Sequence, residues 1–61
     1  MTYVRTRLAL DRLATGQVLA VRLRGAEPER NVPRTAISQG HAVLSTQRDD
    51  TGVTTVWLRR G

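Results

Sequence analysis

Between Tyr3 and Gly16 the chain reads YVRTRLALDRLATG, with Tyr3, Thr6, Leu10 and Leu13 at i, i+3, i+7 and i+10 and Ala9 beside them. That is the stripe of a helix packed along one side. Arg5 and Arg12 fall opposite it, no Pro or Gly interrupts it, and Gly16 stands where a glycine can end a helix at little steric cost. The period then changes to two. In Gln17 to Leu23, Leu19, Val21 and Leu23 share one face while Val18, Ala20 and Arg22 share the other, which predicts a strand buried on one side.

Arg24 to Pro33, RGAEPERNVP, reads as a loop because it holds a Gly, two Pro and an Asn. Asn31 is then an N-cap and Pro33 lies in the first turn of a short helix from about Val32 to Gln39, with Ala36 and Ile37 turned inward and Gly40 ending it. His41 to Gln47 and Val53 to Arg59 read as two strands, joined by a polar turn in which Asp49, Asp50 and Gly52 supply hairpin chemistry. In the last strand Val56 and Leu58 share one face, and Val53, Thr55 and Trp57 the other.

The order helix, strand, helix, strand, strand predicts a two-layer sandwich of the α/β (α+β) class, with both helices on one face of the sheet. Residues 1–61 form a single domain. A helix at the very start and only three strands beneath two helices read as though a first strand were missing. The edge at Gln17 to Leu23 is then free to pair, and a homodimer through that strand is expected.

Composition narrows the chemistry. A domain of 61 residues with no Phe, one Trp and one Tyr has a thin core built of Leu, Val and Ala. With no Cys and one His there is no disulfide, no thiolate metal site and no cysteine nucleophile within these residues, and neither metal nor cofactor is expected. All ten basic residues are Arg, giving a net charge of +5, so RNA, DNA or an acidic protein surface are admissible partners. The arginines are scattered, as they would be on a basic surface that is simply solvated. Neither a membrane-length apolar run nor a signal-peptide pattern is present, so no membrane partner and a cytoplasmic location are expected.

Four segments carry a resemblance in their order and spacing: VRTRLALDRLATGQVLAVRL at Val4 to Leu23, NVPR at Asn31 to Arg34, GHAVL at Gly40 to Leu44 and LRRG at Leu58 to Gly61. Together they resemble the TusA-like (SirA/YedF) sulfur-carrier family over essentially the whole chain. The resemblance implies a βαβαββ sandwich with a mixed sheet, here read as α-β-α-β-β with the first strand absent. It also implies a Cys-Pro-x-Pro motif at the start of the first helix, whose cysteine carries sulfur as a persulfide, for example toward thiolation of tRNA. A thiolate suits a helix N-terminus, where the macrodipole and unpaired N–H groups lower its pKa.

Laid on that motif, Met1 stands at the variable residue and Thr2 at the second Pro, so the Cys-Pro pair would lie just upstream of Met1. The Asp of the family's Asp-Ile-Pro segment corresponds to Asn31, followed by Val32 and Pro33. Two explanations stay open: the residues belong to a longer, complete carrier, or to a divergent member that keeps the scaffold and has lost the chemistry.

The resemblance implies protein sulfur donors and acceptors, with Arg5, Asn31, Pro33 and Arg34 as partner-binding residues near the two helix starts and tRNA as a further partner. A non-catalytic module that contacts RNA or an acidic protein is the alternative. His41 reads as structural and Trp57 as packing rather than a stacking platform. Asp49 and Asp50 read as turn residues, and the hydroxyls of Thr2 and Thr6 have no triad partner.

Overall fold

The computed structural model describes residues 2–61, with side chains from Tyr3 onward. Its elements are α1 (Thr2–Asp11), β1 (Val18–Arg24), α2 (Ala26–Ser38), β2 (Ala42–Arg48) and β3 (Val53–Arg59). The last strand is the middle one: the sheet order is β1-β3-β2, and both neighbouring pairs are antiparallel. The expected two-layer α+β sandwich is therefore present. Within these three strands the pairing is wholly antiparallel rather than mixed.

Strand periodicity sets the core. Thr54, Val56 and Leu58 alternate as buried residues along β3, and Leu23 joins them from β1. Leu10 of α1 and Val32 and Ala36 of α2 close over this face, forming one cluster with both helices on the same side. Tyr3, Leu13, Leu19, Val21 and Val43 pack around its margin. The α1 stripe is as the sequence indicated, with Thr6 and Leu10 buried.

The helix boundaries differ from expectation. α1 stops at Asp11 instead of running to Gly16, and its last turn tightens as the N–H groups of Arg12 and Leu13 donate to the carbonyls of Ala9 and Leu10. Gly16 belongs to a separate turn, in which the Gln17 N–H donates to the Ala14 carbonyl and Gly16 takes a φ of 89°. Carbonyls at this helix end find a partner distant in sequence. The Arg60 guanidinium donates to the carbonyls of Asp11 and Leu13.

α2 begins at Ala26, six residues before the expected start, after Gly25 at φ 103°. Asn31 is thus an exposed mid-helix residue and no N-cap, and Pro33 lies inside the helix rather than in its first turn. The residue that occupies the tolerated first-turn position is Pro28, with Glu27 and Glu29 beside it as favourable charges at the positive helix end. An interior Pro removes one ladder hydrogen bond, at a cost of ~3 kcal/mol. Burial of Val32 and Ala36, one turn apart and almost wholly inaccessible, offsets this by holding the helix on the sheet. Ile37 was expected inward but is 60% exposed, since it lies about 100° around the helix from Ala36.

Gly40 ends α2 as expected. The His41 N–H donates to the Ala36 carbonyl at 2.9 Å and the Gly40 N–H to the Ile37 carbonyl at 3.0 Å, with Gly40 at φ 91°. Opposite, the hairpin turn is built by Asp49: its Oδ1 accepts from the N–H groups of Thr51 and Val53 and from the Thr51 hydroxyl. Between Val43 and Ser45 the β2 register shifts by one residue, so Leu44 is a bulge on that edge.

Candidate functional site

The two helices leave a groove between them, of about 740 Å³, on the side away from the sheet. From α1 it takes two rows of side chains at helical spacing. One row is Tyr3, Arg7 and Asp11, and the other is Val4 and Leu8. From α2 come Glu27 and Pro28 at its start, then Asn31, Val32 and Thr35.

Val4 is 51% and Leu8 58% exposed, so the α1 wall presents an apolar strip to solvent while Val32 forms a buried floor. Arg7, Asp11 and Glu27 set charge of both signs around it. Such a groove suits an apolar side chain carried by a partner that also presents polar groups to the rim.

Tyr3 stands where the groove meets the core. Its hydroxyl is buried and, among the described residues, has no hydrogen-bond partner. Burial pushes the phenol above its ordinary pKa of 10.0; the Arg7 charge opposes this and the Asp11 charge adds to it.

The electrostatics of the two helix starts differ. The first turn of α2 carries Glu27 and Glu29, whereas the first turn of α1 carries no acidic residue. The positive end of the α1 macrodipole is therefore left without an internal counter-charge.

Of the four residues read as partner-binding, the groove brings in Asn31 alone. Arg5 and Arg34 are exposed on α1 and α2 without lining it, and Pro33 is half-buried within α2. Met1 and the Thr2 side chain, the positions set against the family motif, lie outside the described residues. Sequence reasoning missed Val4 and Leu8, whose i, i+4 spacing outside the core stripe was the available signal. His41 is structural in its contacts, with its Nδ1 accepting from the Gly61 N–H at 3.1 Å. Among the described residues no cluster of metal-ligating side chains occurs, and no helix is long and apolar enough to cross a membrane.

The architecture is that of a small two-layer α+β domain, with two helices on one face of its sheet and a groove between them. The chain belongs to the TusA sulfurtransferase family: the family model described as "Sulfurtransferase TusA" matches residues 1–60. It is also 34% identical over 47 residues to an Archaeoglobus fulgidus protein named "Putative sulfur carrier protein", an alignment covering 77% of this chain and 53% of that relative. The chain thus spans about half the length of the curated relative it matches. No solved structure gives a significant match.

Proposed function

We propose that this chain is the scaffold of a sulfur carrier that receives sulfur from one protein and hands it to another. The observation that carries the reading is the start of α1, which has no acidic residue in its first turn and lies at one end of an apolar groove. A sulfur-bearing thiolate placed immediately before α1 meets the positive end of the helix, which favours the ionised form.

No cysteine occurs in the 61 residues, so the thiolate of this reading belongs to the Cys-Pro pair that the family resemblance puts upstream of Met1. Transfer is then an exchange without net oxidation. The carrier thiolate attacks the outer sulfur of the donor's persulfide, the donor's S–S bond breaks and leaves a donor thiolate, and the new S–S bond forms on the carrier. Val4 and Leu8 hold the donor or acceptor protein in the groove, while Arg5, exposed on α1 outside it, contacts acidic groups of that protein. The sulfur then passes along the relay toward thiolation of tRNA, as in the best-known family case.

The test is the intact mass of the protein isolated from its native cells, followed by loading with a cysteine desulfurase and radiolabelled cysteine. A mass larger by a first strand and Cys-Pro, with label released by reducing agent, is the expected result. A mass equal to Met1 to Gly61, or a longer chain that takes up no label, overturns the reading.

The β1 edge supports a second, narrower proposal. Among the described residues β1 pairs on one side only and has no bulge, unlike β2, so in the 61-residue chain residues 18–24 of two copies are able to form a continuous antiparallel pair. Light scattering of the 61-residue chain is expected to show a dimer that dissociates on dilution; a monomer at every concentration removes it.

A further inference from the structure

Both helices and the whole core cluster lie on one face of the sheet, and no described element covers the other. The cross-strand register gives that second face a definite composition. Ala20 of β1, Trp57 of β3 and Ser45 of β2 form a row across all three strands, with Trp57 in the middle. Neither neighbour is large enough to cover an indole, and Trp57 is half-buried without belonging to the residues packed on the core.

Guanidinium groups flank this ring at both ends. Arg59 lies two residues along β3 on the same face, opposite Val18 and Ala42. On the other side Arg22 stands opposite Thr55 and Arg24 opposite Val53, and all three arginines are exposed. Residues two apart on a strand are roughly 7 Å apart, about the reach of one nucleotide step. No carboxylate occupies a position on this face of the three strands. Asp49, on the hairpin loop, feels the Arg22 charge, but its Oδ1 is already engaged by Thr51 and Val53.

We propose that the helix-free sheet face binds single-stranded nucleic acid, one base stacking on Trp57 while the flanking phosphates pair with Arg59 on one side and with Arg22 and Arg24 on the other. An aromatic ring on an open sheet between cationic groups supplies both attractions that such strands use. An acidic polypeptide would engage the arginines and leave the indole idle, which makes the ring the discriminating feature. The proposal is independent of sulfur transfer, because it uses the opposite face of the molecule from the groove and the α1 start.

Trp57 is the sole tryptophan, so its emission reports the contact directly. Titration with a 12-nucleotide oligouridylate is expected to quench that emission saturably. The logarithm of affinity is expected to fall with the logarithm of salt at a slope of about −2, for three phosphates at about 0.7 each. With a labelled oligonucleotide read by anisotropy, Trp57→Val is expected to weaken binding roughly tenfold to a hundredfold, and Trp57→Phe much less. Arg59→Gln is expected to make the slope shallower by about 0.7.

Circular dichroism checks that each variant is folded. Should Trp57→Val unfold, the triple variant Arg22→Gln, Arg24→Gln, Arg59→Gln, altered only at exposed positions, carries the test and is expected to abolish binding. The proposal is overturned by unquenched emission, by undiminished binding in the folded Trp57→Val or triple variant, or by polyglutamate that binds as tightly as oligouridylate.

Discussion

The hydroxyl of Thr54 donates a 2.5 Å hydrogen bond to Oε1 of Glu29, joining the central strand to the first turns of α2. Thr54 is 4% exposed, so its hydroxyl has little access to water as a substitute partner. A hydrogen bond to a charged group contributes about 1.5–3 kcal/mol, a large share of the ~3–9 kcal/mol expected for a chain of this length. Thr54→Val is expected to lower unfolding stability by about 1–2 kcal/mol in urea titration, and Glu29→Gln, which keeps an acceptor, by less. An unchanged midpoint in Thr54→Val would show that the bond contributes nothing net.

Tyr3 makes the opposite prediction. Its buried hydroxyl lacks a hydrogen-bond partner among the described residues, so removing it removes a desolvation cost while the ring keeps its packing. Tyr3→Phe is expected to be neutral or to stabilise by up to about 1 kcal/mol. Ultraviolet titration of the wild-type phenol is expected above 10.0, with Asp11→Asn bringing it down, because burial and the Asp11 charge both disfavour the phenolate against the pull of Arg7.

Acid should loosen the hairpin. The Asp49 carboxyl is held below its ordinary value of 3.8, first by the Thr51 hydroxyl and then by the Val53 N–H. A carboxyl depressed in the folded state contributes stability that is present above its unfolded value and is lost as pH falls through the lower folded one. Thermal melts are therefore expected to drop below about pH 4, and Asp49→Asn to flatten that part of the profile. Equal acid dependence in both proteins would assign the loss to other groups.

Arg60 is expected to matter more than an exposed arginine near a chain end usually does. Its guanidinium serves carbonyls left open at the end of α1, a favourable site for a cation. Arg60→Ala should destabilise by about 0.5–1 kcal/mol, with faster amide exchange concentrated in the last turn of α1. Uniform exchange changes across the domain would argue against a local cap.

Strands were the most legible part of this sequence. Alternation alone located Val53–Arg59 to the residue, and the other two strands within one residue at each end. The α1 stripe was equally readable, since Thr6 and Leu10 recur at helical spacing. α2 was not, because Asn31 and Pro33 imitate a helix start, while the true start at Gly25 uses backbone conformation instead of a side-chain cap. Gly16 was misplaced because α1 ends before it, at Asp11, and Ile37 because a helix turns it about 100° away from the buried Ala36.

The site was less legible than the fold. Arg5 and Arg34 were chosen from their nearness to expected helix starts, and the six-residue extension of α2 moved the start away from Arg34. The row Ala20, Trp57, Ser45 depends on cross-strand register and on the bulge at Leu44, which no linear pattern states.

The central position of β3 also sets the order in which this sheet can assemble. Among the described residues β1 and β2 form no ladder with each other, and each pairs with β3. Until β3 is in place the sheet has no middle and the core lacks Val56 and Leu58. Closing the sheet therefore waits on contacts distant in sequence, from Arg24 with Val53 to Val18 with Arg59. Losing β3 would release both of its neighbours at once and leave no half-sized folded remnant of this sheet.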